Sequence, residues 1–397
     1  MQNKIIRQYC LLSALFNAGG LSIISAIYVA YLIRNGLSLF ESNLVNAVFF
    51  LALFICEIPT GAFADVFGRK ASLMLACALM GVSMFMYGCS HSFVWFVATE
   101  AVAGAGSAFE TGAFQAWLVD SLKHHGYTGE YHRIFGRANL LTQIAGGFGA
   151  VAGSYLSAWH PSLPWFFGGT VLTVTMIIVH FVMKEDYFEK KAFSWKLAFT
   201  AMWRTAKTSI RYGREDKTVR FVLITTGTYV FAVQGLNMYW QPYFKGHGVG
   251  EQYLGFLFDA MVISFSVGTF AASRMKSLGN EKRLILTMLA VSGILVVVMS
   301  TMTSLPLVVA IFLLHEVPRG TIQPFMDSYL QQRIPSAERA TIASFCATAP
   351  HIGGAIGLVV SGAIAQGFGI PGTWCVSGVI LILGALLLAK NGNGVSS

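Results

Sequence analysis

Glu316 and Arg319 stand three residues apart in a stretch, 305–330, that is otherwise mostly apolar. With Gln323, Met326 and Asp327 they fall at i, i+3, i+7, i+10 and i+11, which is one face of a helix. A carboxylate and a guanidinium at that spacing either form a structural ion pair or act on a substrate or a proton. Pro318 and Pro324 lie in the same stretch, and a broken helix frees backbone groups to meet a ligand. Acids recur in other apolar stretches: Glu57, then Glu100, Glu110 and Asp120, then Asp259. Glu110 has no partner at helical spacing, so it either carries a proton or is held neutral by a bond from another helix. Glu110, Glu316 and Asp259 are therefore the candidates for proton or cation coupling, with Arg319 modulating Glu316 or binding an anionic group. Gln143, Gln234 and Asn237 are the candidate polar contacts to a substrate. Gln234 and Asn237 stand near Tyr229, Tyr239 and Trp240, a mixture suited to an amphipathic organic molecule. Tyr239 and Trp240 suit an interfacial aromatic belt equally well.

No pattern for covalent chemistry accompanies these residues. His124, His125 and His132 lack companion ligands at metal-site spacing, and the six cysteines form no CxxC pair. No GxxxxGK[ST] loop marks an ATP site. The expectation is a chain that is not an enzyme, with no cofactor and no metal site.

Charge of this kind needs elements able to hold it in an apolar medium. Of 397 residues, 55% are hydrophobic and 11% charged, where a soluble domain carries roughly 25% charged residues. That excludes a water-soluble or disordered chain. Continuous apolar runs of about 20 residues predict helices, since barrel strands would show alternation over roughly ten. Twelve spans are predicted: 7–33, 41–64, 71–90, 93–122, 134–158, 163–183, 219–244, 251–273, 284–303, 305–330, 340–366 and 371–389. With the N-terminus in the cytoplasm, 24 of the 27 Lys and Arg fall on the cytoplasmic side. The positive-inside rule then puts both termini there and explains the net charge of +9 without a nucleic-acid partner.

A shift of 207 residues lays Gly61 on Gly268, Asp120-Ser121 on Asp327-Ser328, Gly146-Gly147 on Gly353-Gly354 and Pro164 on Pro371. The constant offset predicts two six-helix bundles, 1–183 and 219–397, with a substrate site between the halves. The cytoplasmic linker 184–218 holds Trp195, Phe199 and Trp203 at helical spacing among basic residues, as an interfacial helix would. Gly149 with Gly153 and Gly353 with Gly357 are GxxxG pairs that read as close helix crossings.

Between the second and third spans stands Gly61-Ala-Phe-Ala-Asp65-Val-Phe-Gly68-Arg69-Lys70. It resembles the G-x-x-x-D-x-x-G-R-K loop of the major facilitator superfamily, at the place where that family carries it. The resemblance covers the whole chain and implies that family's fold, alternating access, and a cytoplasmic gate made of Gly61, Asp65, Gly68, Arg69 and Lys70. In that gate Gly61 would admit a close helix approach. Asp65 would accept bonds from Arg69, a helix N-terminus or a basic residue such as Arg137. The second copy keeps Gly268 and Lys276 but has Ala272 in place of the aspartate. The family's fourth-span pattern R-x-x-x-G-x-G, whose arginine is linked to proton coupling in several exporters, is similar to Glu100-Ala-Val-Ala-Gly104-Ala-Gly106 with glutamate leading. The fifth span has Gly146-Gly147 without the Gly-Pro of drug antiporters.

The leading expectation is a monomeric secondary transporter in the bacterial cytoplasmic membrane. It would exchange protons for a small amphipathic organic solute moving outward. One alternative is a proton-linked importer of a small nutrient or metal-chelating compound, with Arg319 on an anionic group. A non-transporting receptor is the other, and the intact gate loop speaks against it.

Overall fold

The computed structural model describes residues 1–188, 211, 213–275, 280–334, 342, 345–346 and 350–390, and these hold helices and no strand. α1 (Gln2–Asn17) runs into a π turn at Ala18–Ser22, a short helical piece at Ile23–Ser25 and, past a bend, α2 (Tyr28–Arg34). There follow α3 (Leu39–Phe67), α4 (Arg69–Cys89), α5 (Phe93–Glu110), α6 (Ala113–His124), α7 (Tyr131–Trp159) and α8 (Leu163–Val182). The second half supplies α9 (Lys217–Gly246), α10 (Leu254–Arg274), α11 (Glu281–Ser300), α12 (Leu305–Gln331) and α13 (Pro350–Lys390).

Among the described residues, nine helices are long and apolar enough to cross a bilayer, α13 counting once. α13 bends at Gly369 and supplies two spans. The fourth span is α5 with α6, where Glu100 and Glu110 lower the hydropathy, and the fifth is the more polar α7. The result is twelve helices in an all-α membrane protein. The fourth span is interrupted at Gly112, whose φ of +75° only glycine adopts without strain. The interfacial helix expected around Trp195, Phe199 and Trp203 lies outside the described residues.

α12 corrects one expectation: it runs through Pro318 and Pro324 as a single helix. Pro324 has no N–H to offer the carbonyl of Gly320, and Thr269 Oγ1 of α10 donates to that oxygen instead, at 3.0 Å. A neighbouring helix thus takes over the bond that would otherwise be left open in lipid.

The duplication is visible in the packing. The third and sixth helices of each half pack heavily against each other, α4 on α8 and α11 on the second part of α13. The first and fifth cross where glycine meets backbone. A Cβ on Gly153 of α7 would lie 1.7 Å from the Ile23 carbonyl oxygen, and one on Gly357 of α13 would lie 2.5 Å from that of Phe231. The second and fourth do the same. A Cβ on Gly104 would meet Phe49 O at 2.6 Å, and one on Gly320 would meet Phe265 O at 2.0 Å. The GxxxG reading therefore holds for both quoted pairs, with Gly149 and Gly353 also facing backbone oxygens, at 3.1 and 3.4 Å. Gly61 does not behave in this way among the described residues, where a Cβ on it meets nothing within 4 Å. Its counterpart Gly268 does, 1.9 Å from Val317 O.

By contacts the chain forms two bodies, each of which includes a short stretch from the other half. The first holds residues 1–37, 48–188 and 248–258; within it Glu251 accepts a bond from Ser157 Oγ and pairs with Arg34 at 3.8 Å. The second holds the remainder, including 38–47; there Asn43 Nδ2 donates to Leu358 O at 2.8 Å and to Ser361 Oγ at 2.9 Å.

Gly153→Val and Gly320→Val should each lower the melting midpoint of the detergent-purified protein. Overpacking typically costs about 1–3 kcal/mol, and here the obstacle is backbone that cannot rotate away. Gly61→Ala should melt with the wild type. Fluorescence-detected thermal size exclusion reads all three, and an undiminished Gly153→Val would refute the crossing.

Candidate functional site

In the second body the expected stripe on α12 folds into a charge cluster. Arg319 Nη1 donates to Glu316 Oε1 at 2.6 Å, Nε donates to Tyr229 Oη at 3.1 Å and Nη2 donates to Asn237 Oδ1 at 3.1 Å. Tyr229 and Asn237 lie eight residues apart on α9, a little over two turns, and so face the same way. Glu316 and Arg319 are buried, whereas Asn237 is the exposed member. Among the described residues, three of the five guanidinium N–H groups are engaged, which leaves two for a ligand. Next to this pair the fully buried His315 sets Nε2 3.6 Å from Glu316 Oε1. Its Nδ1 faces the Phe312 carbonyl, which can only accept, so that nitrogen carries the hydrogen. Gln234 is buried but is not one of Arg319's hydrogen-bond partners, and neither is the half-buried Asp259.

In the first body Glu110 lines a cavity of about 160 Å³ together with Tyr9, Ser13, Asn17, Gln115 and Thr142, closed by Phe16, Leu21 and Phe114. Two helix interruptions meet here. Asn17 ends α1 at the π turn, where its Oδ1 accepts from Ser22 Oγ at 2.6 Å, and Glu110 ends α5 just before Gly112. Helix interruptions with polar side chains are where transporters of this architecture hold solutes. Gln143 is exposed, and the residue that α7 contributes to the lining is its neighbour Thr142.

The loop at the α3–α4 junction is clamped as well. Asp65 Oδ1 pairs with Arg69 Nη2 at 2.8 Å across the α3–α4 junction. Gly68 turns that junction with φ +96°, and a Cβ on it would lie 2.5 Å from Glu185 Oε2. Glu185, just past α8, accepts from the Arg69 backbone N–H at 2.7 Å and so caps α4. Lys70 Nζ donates to His180 O at 2.6 Å, and Trp117 Nε1 to Lys184 O at 3.1 Å. Burial raises the Glu185 pKa above the usual carboxylate range, against the lowering effect of the Lys70 and Arg69 N–H donors and their charges. Glu185, His315 and Tyr229's bond to Arg319 are the parts of these clusters that sequence spacing did not reveal.

The chain matches the family model of the Major Facilitator Superfamily over residues 10–348 and again over 222–391. It belongs to that family of membrane transporters. It is 22% identical to YxaM of Bacillus subtilis strain 168, an uncharacterized MFS-type transporter, over 92% of this chain and 91% of that protein. The multidrug resistance protein MdtG of Yersinia enterocolitica is 21% identical over 87% of this chain and 81% of its own. Among solved structures, the nucleoside transporter NupG superposes with a TM-score of 0.81 at 13% identity, covering 97% of this chain and 98% of that one. The human organic anion transporter MFSD10 gives 0.68 at 15% identity, covering 98% and 99%. At these identities the structural likeness carries the fold alone.

Two outcomes follow from the charges. Glu316→Gln strands the Arg319 guanidinium and should cost about 3–5 kcal/mol of stability, most of which the double change with Arg319→Gln should recover; thermal melts of the three variants read this. At the gate, a carboxyl whose pKa is raised by folding stabilises fully below its ordinary value and loses that contribution as pH rises through the raised one. Glu185→Gln keeps an acceptor for Arg69 N–H, so it should melt above the wild type at about pH 8 and converge with it toward about pH 4.

Proposed function

We propose that this transporter is a secondary active one that moves a small amphipathic organic solute outward by alternating access in exchange for protons. It would work as a monomer in the bacterial cytoplasmic membrane with both termini inside, its halves 1–183 and 219–397 being the moving parts. The observation that carries this reading is the Glu110 cavity. An acid, two amides, a phenol and two phenylalanine rings line one space at the junction of two interrupted helices. That is the mixture of apolar wall and few polar groups expected for an amphipathic ligand. The uncompensated acid in it is the natural proton acceptor for exchange against such a solute. The multidrug resistance relative adds weight to outward transport.

A second reading is favoured by one feature, the two unengaged N–H groups of Arg319 next to exposed Asn237. When a proton neutralises Glu316, Arg319 loses its counter-charge and can take an anionic group from the solute. Proton and anion would then travel together, as in an importer of a small anionic nutrient or metal chelate.

Proteoliposomes with an imposed pH gradient separate the two. Under the first reading ethidium flux follows the gradient and falls at least tenfold in Glu110→Gln, with carboxyfluorescein a poor competitor. Under the second, carboxyfluorescein competes and Arg319→Gln abolishes the competition. Full gradient-driven ethidium flux in Glu110→Gln would remove that residue from the mechanism.

A further inference from the structure

A second buried acid of the first body is Glu100, in the middle of α5. Its side chain is buried, at 4% exposure, and Oε1 accepts from Tyr28 Oη and from Tyr87 Oη, each at 2.5 Å. Tyr87 is itself 2% exposed and immobilised: its ring stacks on Trp165 at 4.1 Å, and its backbone carbonyl accepts from Tyr31 Oη at 2.9 Å. Tyr28, half-buried, closes the third side with its hydroxyl 3.4 Å from that of Tyr87.

Among the described residues, no cation is bonded to this carboxyl. The titratable groups around the carboxyl are Tyr28 and Tyr31 of α2 and Tyr87 of α4; α8 presents Trp165. On the other side of α5, α3 meets Gly104 through Phe49, Ala52 and Leu53. The basic residues of the surrounding helices are engaged elsewhere: Arg34 pairs with Glu251, Arg69 with Asp65, and Lys70 bonds to His180 O. This contrasts with Glu316, which has its guanidinium at 2.6 Å. An ionised carboxylate in an apolar interior requires a positive partner. At Glu100 a proton is what can fill that place, with the two phenols bonding to the carbonyl oxygen of the neutral acid.

Glu100 is also tied to the cavity. α5 carries Glu100 and, ten residues on or about 15 Å along the axis, the cavity's Glu110. The first span carries Asn17 at the cavity and Tyr28 at Glu100, with the π turn and the bend at Ile27 between them. One interrupted segment and one continuous helix therefore connect the same two places. Any shift of α2 relative to α5 that accompanies filling of the cavity lengthens or shortens the Tyr28–Glu100 bond, and with it changes how strongly the proton is held.

We propose that Glu100, Tyr28 and Tyr87 form a second proton-binding site, coupled through the first and fourth spans to the Glu110 cavity. Its role in exchange rests on the proton-coupled reading above; the site itself does not.

Infrared difference spectroscopy of the full-length protein in lipid, titrated with acid and base and no solute, reads protonated carboxyls directly. A protonated-carboxyl C=O band should be present that is lost in Glu100→Gln and retained in Glu110→Gln. It should move to higher frequency in Tyr28→Phe and Tyr87→Phe, each of which removes a bond to the carbonyl. Glu100→Gln still offers an oxygen to both phenols and should remain folded; if it does not, the two tyrosine variants decide. A band unchanged in Glu100→Gln, or unmoved in both tyrosine variants, overturns the site. In the same vesicles, gradient-driven ethidium flux should fall at least tenfold in Glu100→Gln, and undiminished flux overturns its coupling role. Wild-type flux that ignores the gradient while the Glu100 band behaves as described would overturn the exchange reading and leave the site standing.

Discussion

Inside a bilayer, helices gain nothing from leaving lipid for one another, so the contacts that hold them must come from backbone brought close to backbone. In this chain glycine does that at the crossings of first with fifth and second with fourth helix in each half. The placement of every polar group depends on these crossings. Gly153 against Ile23 holds α7 on the first span, which keeps Thr142 and Asn17 on one cavity. Gly320 and Gly268 hold α12 on α10 closely enough for Thr269 to reach the Gly320 carbonyl. That is what allows α12 to carry two prolines and still continue as one helix past Glu316 and Arg319.

Charge imposes the second constraint, and the two halves answer it differently. Arg319 and Glu316 neutralise each other, and Tyr229 and Asn237 take two more guanidinium donors. Such a pair is specific in geometry and expensive to break, which suits an element that exchanges partners with a charged group. Glu100 has phenols in place of a cation. Phenols bond to a carboxyl in either protonation state, so they fix its position without fixing its charge.

Much of this was legible in the sequence, and the reasons for success and failure are physical. Spans follow from runs of apolar residues, and the Glu316–Arg319 pair follows from a spacing of three on one helix, so both are local. The gate pair of Asp65 and Arg69 is local too. Glu185 is not, because its place on α4 depends on where α8 ends in space. The Tyr28, Tyr87 and Glu100 cluster joins residues up to 72 positions apart, and no periodicity reports that. Gln143 and Thr142 show a finer limit: one residue is about 100° around a helix, enough to exchange a lining position for an exposed one. Gly61 shows another. A motif marks the residue type but not the neighbour, and among the described residues it is Gly268 that meets a backbone, not Gly61. The interruptions at Ala18–Ser22 and Gly112 contain no proline, and their only sequence trace is Gly19-Gly20 and Thr111-Gly112.

The two halves repeat the same helix crossings, but they differ in their charged groups. The first half kept the aspartate of the gate loop, and the second has Ala272 in its place. Among the described residues, the first half carries Glu100 and the cavity's Glu110 with no cation bonded to them, whereas Glu316 of the second is bound to an arginine. Acids without counter-charge can take up and release protons without breaking an ion pair. An arginine with spare donors can hold an anionic or hydrogen-bonding solute but has no proton to exchange. The second half also holds the half-buried Asp259 on α10, so an acid and an arginine occur together there as well.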